Sequence, residues 1–121
     1  NIGIWNKKDS IGFSHKSGRN SFLSDCSIVK IDVDTIDNIC EKSKITFIKY
    51  DVEGYEKEAI EGSLNIIKKF KPKLEIAGYH RNEDIFSLPI LVNSIDREYK
   101  IYLRHHPYIP AWETNLYVIK H

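Results

Sequence analysis

The chain has 121 residues, room for one domain with a modest core and too few for two, so residues 1–121 are read as a single unit. Lys and Arg total 18 against 17 acidic residues, a net charge of +1, which offers no basic stripe to a nucleic acid. Apolar runs stop far short of the ~20 residues a membrane-spanning helix needs, and no signal segment opens the chain.

Two cysteines, Cys26 and Cys40, are too few for a disulfide framework or a zinc site, so a reducing, cytoplasmic setting is the default expectation. No Met occurs, and the chain begins Asn1-Ile2-Gly3-Ile4-Trp5, already strand-like. It therefore reads as a piece of something longer.

Ile2–Trp5 and Ser10–Ser14 alternate apolar and polar residues around the polar turn at 6–9 and predict an N-terminal β-hairpin. Residues 15–27, rich in Ser, Gly and Asn, read as a loop. Ser27–Val33 alternates again. Asp34 or Thr35 then caps a short helix through Cys40, with Asp37 in its first turn. Ile45–Asp51 has the composition of a buried parallel strand.

After Gly54, the apolar positions Ala59, Ile60, Leu64, Ile67 and Phe70 recur at helical spacing. They predict one helix from Glu56 to about Phe70, weak at Gly62 and ended by Pro72. Lys73–Tyr79 is the next strand. Asn82–Asp84 opens a helical stretch in which Pro89 is expected to start a new first turn. Tyr99–His105 and Asn115–Lys120 are strands too close in sequence for a helical crossover, so the last runs antiparallel to its neighbour. The fold class is α/β: a mostly parallel sheet with an antiparallel C-terminal strand and an N-terminal hairpin.

Asp51 and Glu53 end a strand before a glycine turn and a helix, the edge at which open α/β sheets bind ligands. They can orient a hydroxyl, take its proton or hold a cation, or else cap the helix and sit in solvent. His80, at the end of the following strand, would lie beside Asp51 if the two strands are neighbours. It is then a candidate general base, or alternatively a turn histidine bonded to backbone.

Glu56 reads as a first-turn acid that favours the helix dipole. His105 and His106 are adjacent on a strand and point to opposite faces, so one at most faces the cleft. Asp51, His80 and His105 lack the tight spacing of a metal site, and no metal is expected. Tyr99, Tyr102 and Tyr117 read as packing residues. Cys26 and Cys40 read as buried or incidental thiols.

The run Ile45-Thr46-Phe47-Ile48-Lys49-Tyr50-Asp51-Val52-Glu53-Gly54-Tyr55-Glu56 resembles the signature of the FkbM family of S-adenosylmethionine-dependent methyltransferases. In that pattern a strand ends in Lys-x-Asp-x-Glu-Gly and a Glu follows two residues on. The likeness continues through Lys71-Pro72-Lys73-Leu74, Tyr79-His80, Tyr102 to His106, Glu113-Thr114 and Leu116-Tyr117, over roughly residues 28–120.

The resemblance implies part of a Rossmann-like methyltransferase sheet, S-adenosylmethionine as cofactor, and methylation of a hydroxyl on a small molecule or glycan. It implies catalytic roles for Asp51, Glu53 and His80, with Asp51 also at the cofactor. A complete member would begin with a strand and an acidic-Gly-x-Gly turn, then a second strand ending in an acid for the ribose. Neither can be placed here: Gly3 and Gly12 are isolated, and Ser17-Gly18-Arg19 follows no suitable strand. The chain then reads as the C-terminal half of such a domain, binding cofactor poorly by itself. The alternative is an inactive folded fragment that self-associates through an exposed sheet edge.

Overall fold

The computed structural model describes residues 2–14, 22–23, 29–107 and 113–120. The chain forms strands β1 (Gly3–Ile4), β2 (Asp9–Ser14), β3 (Phe22–Leu23) and β4 (Val29–Asp34), then helix α1 (Ile36–Ile39) and strand β5 (Phe47–Tyr50). Helices α2 (Glu56–Glu61) and α3 (Leu64–Phe70), strand β6 (Lys73–Ala77), helix α4 (Asp84–Ile95) and strands β7 (Lys100–His105) and β8 (Thr114–Ile119) follow. The fold is mixed α/β, as composition and periodicity suggest. Among the described residues no helix is long and apolar enough to cross a membrane.

The strands form two sheets, ordered β1-β4-β2-β3 and β5-β6-β8-β7. The expected N-terminal hairpin is not formed. β4 lies between β1 and β2, parallel to β1 and antiparallel to β2, with Gly3 and Asp9 both registered on Val33. Residues 5–8 pass over the end of β4, anchored where Trp5 N–H donates to the Asp34 carbonyl at 2.9 Å. Two strand spacings are only about 10 Å, which four residues span easily, so local polarity at 6–9 could not distinguish a turn from a crossing. β3 falls inside the segment read as a loop and pairs antiparallel with β2.

The sheets are also less parallel than expected. Only β1 with β4 and β5 with β6 are parallel pairs among the described residues. β8 inserts between β6 and β7 and runs antiparallel to both. β6 and β7 thus point the same way without touching, and the carboxyl ends of β5, β6 and β7 share one edge with the start of β8. β5 is an edge strand buried on one face: Ile48 and Tyr50 point into the core, whereas Phe47 and Lys49 are exposed.

The core joins Tyr50, Ile60, Ile67, Leu74, Ile76, Leu88, Val92, Leu116 and Val118, with Ile4 of the first sheet packed against it. Each such side chain contributes roughly 1.5–3 kcal/mol. Tyr99 is buried and donates its hydroxyl to the Pro72 carbonyl at 2.8 Å. Tyr117 is half-buried and Tyr102 is exposed on β7, against the packing role expected of it. Cys40 is half-buried and unbridged, and Cys26 lies outside the described residues.

Thr35 caps α1, its hydroxyl accepting from Asn38 N–H at 3.1 Å. The single helix expected from Glu56 to Phe70 is broken at Gly62-Ser63. A Cβ on Gly62 would stand 2.1 Å from the Trp5 carbonyl oxygen, so the crossing segment presses directly on its backbone. Partners outside the helix take over its bonds. Asp37 N–H donates to the Gly62 carbonyl at 3.0 Å, and the Asp37 carboxylate accepts from Asn65 and Ile66 N–H at 3.0 and 2.9 Å. Pro89, by contrast, does not start a new helix. α4 runs through it, losing one backbone bond, because Leu88 and Val92 anchor the helix on the core to either side.

At the far ends of these elements, Asp96 meets Lys71 at 3.1 Å and Lys120 at 3.6 Å, while Glu98 pairs with Lys120. Asp96 lies below the ordinary carboxylate range because it accepts from Glu98 N–H and then from Lys71. Glu98 is lowered by Lys120.

Two outcomes follow. Gly62→Ala must displace the Trp5 backbone and should cost at least about 2 kcal/mol in denaturant unfolding. Lowered folded-state values mean that the Asp96 and Glu98 contributions are complete above the ordinary carboxylate range and vanish as acid titrates the folded carboxyls. The denaturation midpoint should therefore fall below about pH 4, and less steeply in Asp96→Asn.

Candidate functional site at the carboxyl edge of the second sheet

β5 ends at Tyr50, and the chain then turns through Asp51–Tyr55 into α2. Glu53 and Gly54 carry positive φ angles of 55° and 94°, a reversal that glycine accepts readily and Glu does only at modest cost. The reversal is closed by Glu56. Its Oε1 accepts from Val52 N–H at 3.0 Å and Gly54 N–H at 3.4 Å. Helical spacing puts Glu56 on the stripe of Ala59 and Ile60, and only 1% of it is exposed.

The same Oε1 lies 2.7 Å from His80 Nδ1. β5 and β6 are parallel neighbours, Tyr50 registered on Ile76, so His80 does stand beside Asp51. Its other nitrogen, Nε2, is 3.7 Å from Asp51 Oδ1 and 3.6 Å from Glu53 Oε2. The ring thus sits among three carboxylates, one buried beneath it and two at the surface.

Tyr79 donates its hydroxyl to Asp51 Oδ1 at 3.3 Å, and its ring lies 4.4 Å from the imidazole. Burial first, then the charge of Asp51, pushes the Tyr79 phenol up to about 12. Lys49 reaches Asp51 Oδ2 at 3.5 Å. Behind the turn, the Tyr50 hydroxyl is bonded to Ser63 at 2.5 Å. The Arg81 guanidinium lies 5.4 Å from the Tyr55 ring centroid. Asp84, at the start of α4, is raised by burial and further by the Glu56 charge.

The three candidates Asp51, Glu53 and His80 therefore come together. His105 and His106 do not join them: His105 Nδ1 is bonded to Thr114 Oγ1 at 2.8 Å and His106 Nε2 to the Tyr117 hydroxyl at 3.1 Å. Among the described residues the group able to offer a metal at least three ligand atoms is Asp51, Glu56 and His80, all within 4.8 Å of one another. It differs from the Asp51, His80 and His105 set that the sequence brings to mind.

Glu56 is the residue that sequence reasoning missed. An acid in a first turn suggests the helix dipole, yet its side chain points inward to the turn and to His80. The available signal was its register with the apolar face of the helix, where an exposed acid would not be placed. Tyr79, expected to end the strand, lies two residues beyond β6 and turns its hydroxyl to Asp51.

Chemically, the site places a ring nitrogen beside two exposed carboxylates at a sheet edge, suited to moving a proton or receiving a hydroxyl or cation. A Cβ on Gly54 would meet Arg81 Nε at 3.4 Å and His80 Cβ at 3.7 Å. Gly54→Ala should therefore destabilise by about 1–2 kcal/mol, chiefly through its φ angle. It should also shift the Asp51, Glu53 and His80 resonances in an amide spectrum, while those of β7 stay in place.

The model of the methyltransferase FkbM domain matches residues 5–110, reaching upstream of the stretch that carries the sequence likeness. A methyltransferase FkbM from Methylobacillus flagellatus KT, known from a crystal structure, superposes with a TM-score of 0.79 at 34% identity. That match covers 98% of this chain and 27% of the Methylobacillus chain. No curated protein matches the chain. With the family model extending over most of its length, the chain belongs to the FkbM methyltransferase family.

Proposed function

We propose that this chain carries the acceptor-activating part of an S-adenosylmethionine-dependent O-methyltransferase. The reading places it as the C-terminal portion of a Rossmann-like methyltransferase domain. The observation that carries it is the convergence of Asp51, Glu53 and His80 at one sheet edge, with His80 Nε2 3.6–3.7 Å from both carboxylates. On this reading an acceptor hydroxyl, on a small molecule or glycan, lies against the edge. Asp51 and Glu53 orient it, and His80 Nε2 takes its proton as the oxygen becomes a nucleophile. Positioning and proton removal are what such a transfer asks of the protein.

The cofactor would supply an electrophilic methyl group on a sulfonium. Asp51, an exposed carboxyl side chain, suits its ammonium or ribose hydroxyls. The rest of the cofactor fits less well. No Gly-x-Gly turn occurs in the chain, and Gly54 is packed against Arg81 and His80 rather than open to a ligand. The glycine cradle would have to come from outside these residues.

A second reading, a catalytically inactive module that associates with itself, is favoured by exposed apolar side chains. Phe47 on edge strand β5 and Tyr102 and Leu103 on edge strand β7 are each half or more exposed. Unpaired strand edges are templates for association.

Titration calorimetry of this chain with S-adenosylhomocysteine separates the two. Weak binding, nearer the millimolar range (about −4 kcal/mol) because the glycine cradle is missing, that is lost in Asp51→Ala supports the enzyme reading. No heat from a folded sample that elutes as an oligomer supports the module.

A further inference from the structure

We infer that Glu56 is a positioning residue, holding His80 in the tautomer whose lone pair faces the exposed edge. It deepens the proposed function, resting on it for the use made of His80 but not for the tautomer itself.

Glu56 Oε1 already receives two backbone N–H groups, from Val52 and Gly54. An oxygen so engaged acts as an acceptor, and a carboxylate has no proton to give. At 2.7 Å, His80 Nδ1 is therefore the donor, in a charge-assisted bond of the short kind. With the proton on Nδ1, the neutral ring presents its lone pair at Nε2, toward Asp51 and Glu53. Separations of 3.7 and 3.6 Å are too long for hydrogen bonds, so Nε2 donates a proton to neither carboxylate, whereas Nδ1 makes a short bond to Glu56.

When Nε2 takes a proton from a hydroxyl, the imidazolium lies between buried Glu56 and the two surface carboxylates. The proton moves from oxygen to Nε2 while Nδ1–H stays with Glu56, so the site gains one proton and the substrate oxygen keeps the electron pair.

A purely structural Glu56 explains the burial less well. An acid serving the helix dipole works equally well exposed. This one is buried, and its Oε2 has no hydrogen-bond partner among the described residues, an arrangement that is costly unless the charge is used. The anchor is also rigid. Two backbone bonds fix the carboxylate, and the Tyr79 ring packs against the imidazole at a tilt of 49°.

Long-range proton–nitrogen correlation spectra of the ¹⁵N-labelled chain read the tautomer with neither cofactor nor acceptor, so they stand apart from the calorimetric test. His80 is assigned through His80→Gln, and spectra are taken at alkaline pH. The wild type should show a proton on Nδ1 and a pyridine-like Nε2. Glu56→Gln should preserve this, because its amide oxygen accepts the same three N–H groups. Glu56→Ala should shift the ring toward the Nε2–H form that an unconstrained imidazole favours. An Nε2–H ring in the wild type would overturn the inference and needs no variant. An unchanged tautomer in folded Glu56→Ala would overturn it as well.

Discussion

One buried carboxylate organises the carboxyl edge of the second sheet. Glu56 gathers the amides of Val52 and Gly54 and the His80 ring onto a single oxygen. Three consequences follow together. The chain can reverse after β5 through positive φ angles at Glu53 and Gly54. That reversal leaves Asp51 and Glu53 at the surface. The ring at the end of β6 is then locked against them. In the family motif, Lys49, Asp51, Glu53, Gly54 and Glu56 are thus one physical object, a turn that carries its own acceptor.

The surrounding fold exists to hold β5 and β6 side by side. Ile48, Tyr50, Leu74 and Ile76 bury one face of that parallel pair, and α2, α3 and α4 cover it. The N-terminal sheet is tied to the same helices through close backbone contact. Trp5 presses on Gly62, and Asp37 takes the amides that the broken helix leaves free. A break that costs helical bonds is offset by bonds to another element, which is why it sits at a glycine.

The local chemistry was more legible in the sequence than the topology. Alternation and helical periodicity located most elements, and residue type narrowed the α1 cap to Asp34 or Thr35, of which the structure uses Thr35. The pairing of β1 and β2 with β4 was not, because strand order depends on contacts between distant segments and residues 6–9 have the polarity of an ordinary turn. Pro89 misled because propensity describes a helix alone, while Leu88 and Val92 hold this one on a core. Asp51, Glu53 and His80 could be read from strand ends meeting one sheet edge. Glu56 could not be read from charge alone; its role comes from which face of α2 is buried.

On the proposed function, this edge removes the acceptor proton during methyl transfer. Turnover in a complete family member with an established acceptor tests it most directly, with His80 and Asp51 replaced at the equivalent positions by Gln and Ala. If His80 and Asp51 act as proposed, kcat falls by about 10²-fold or more in each, with unfolding midpoints near the wild-type value. Wild-type turnover in both folded variants would contradict it.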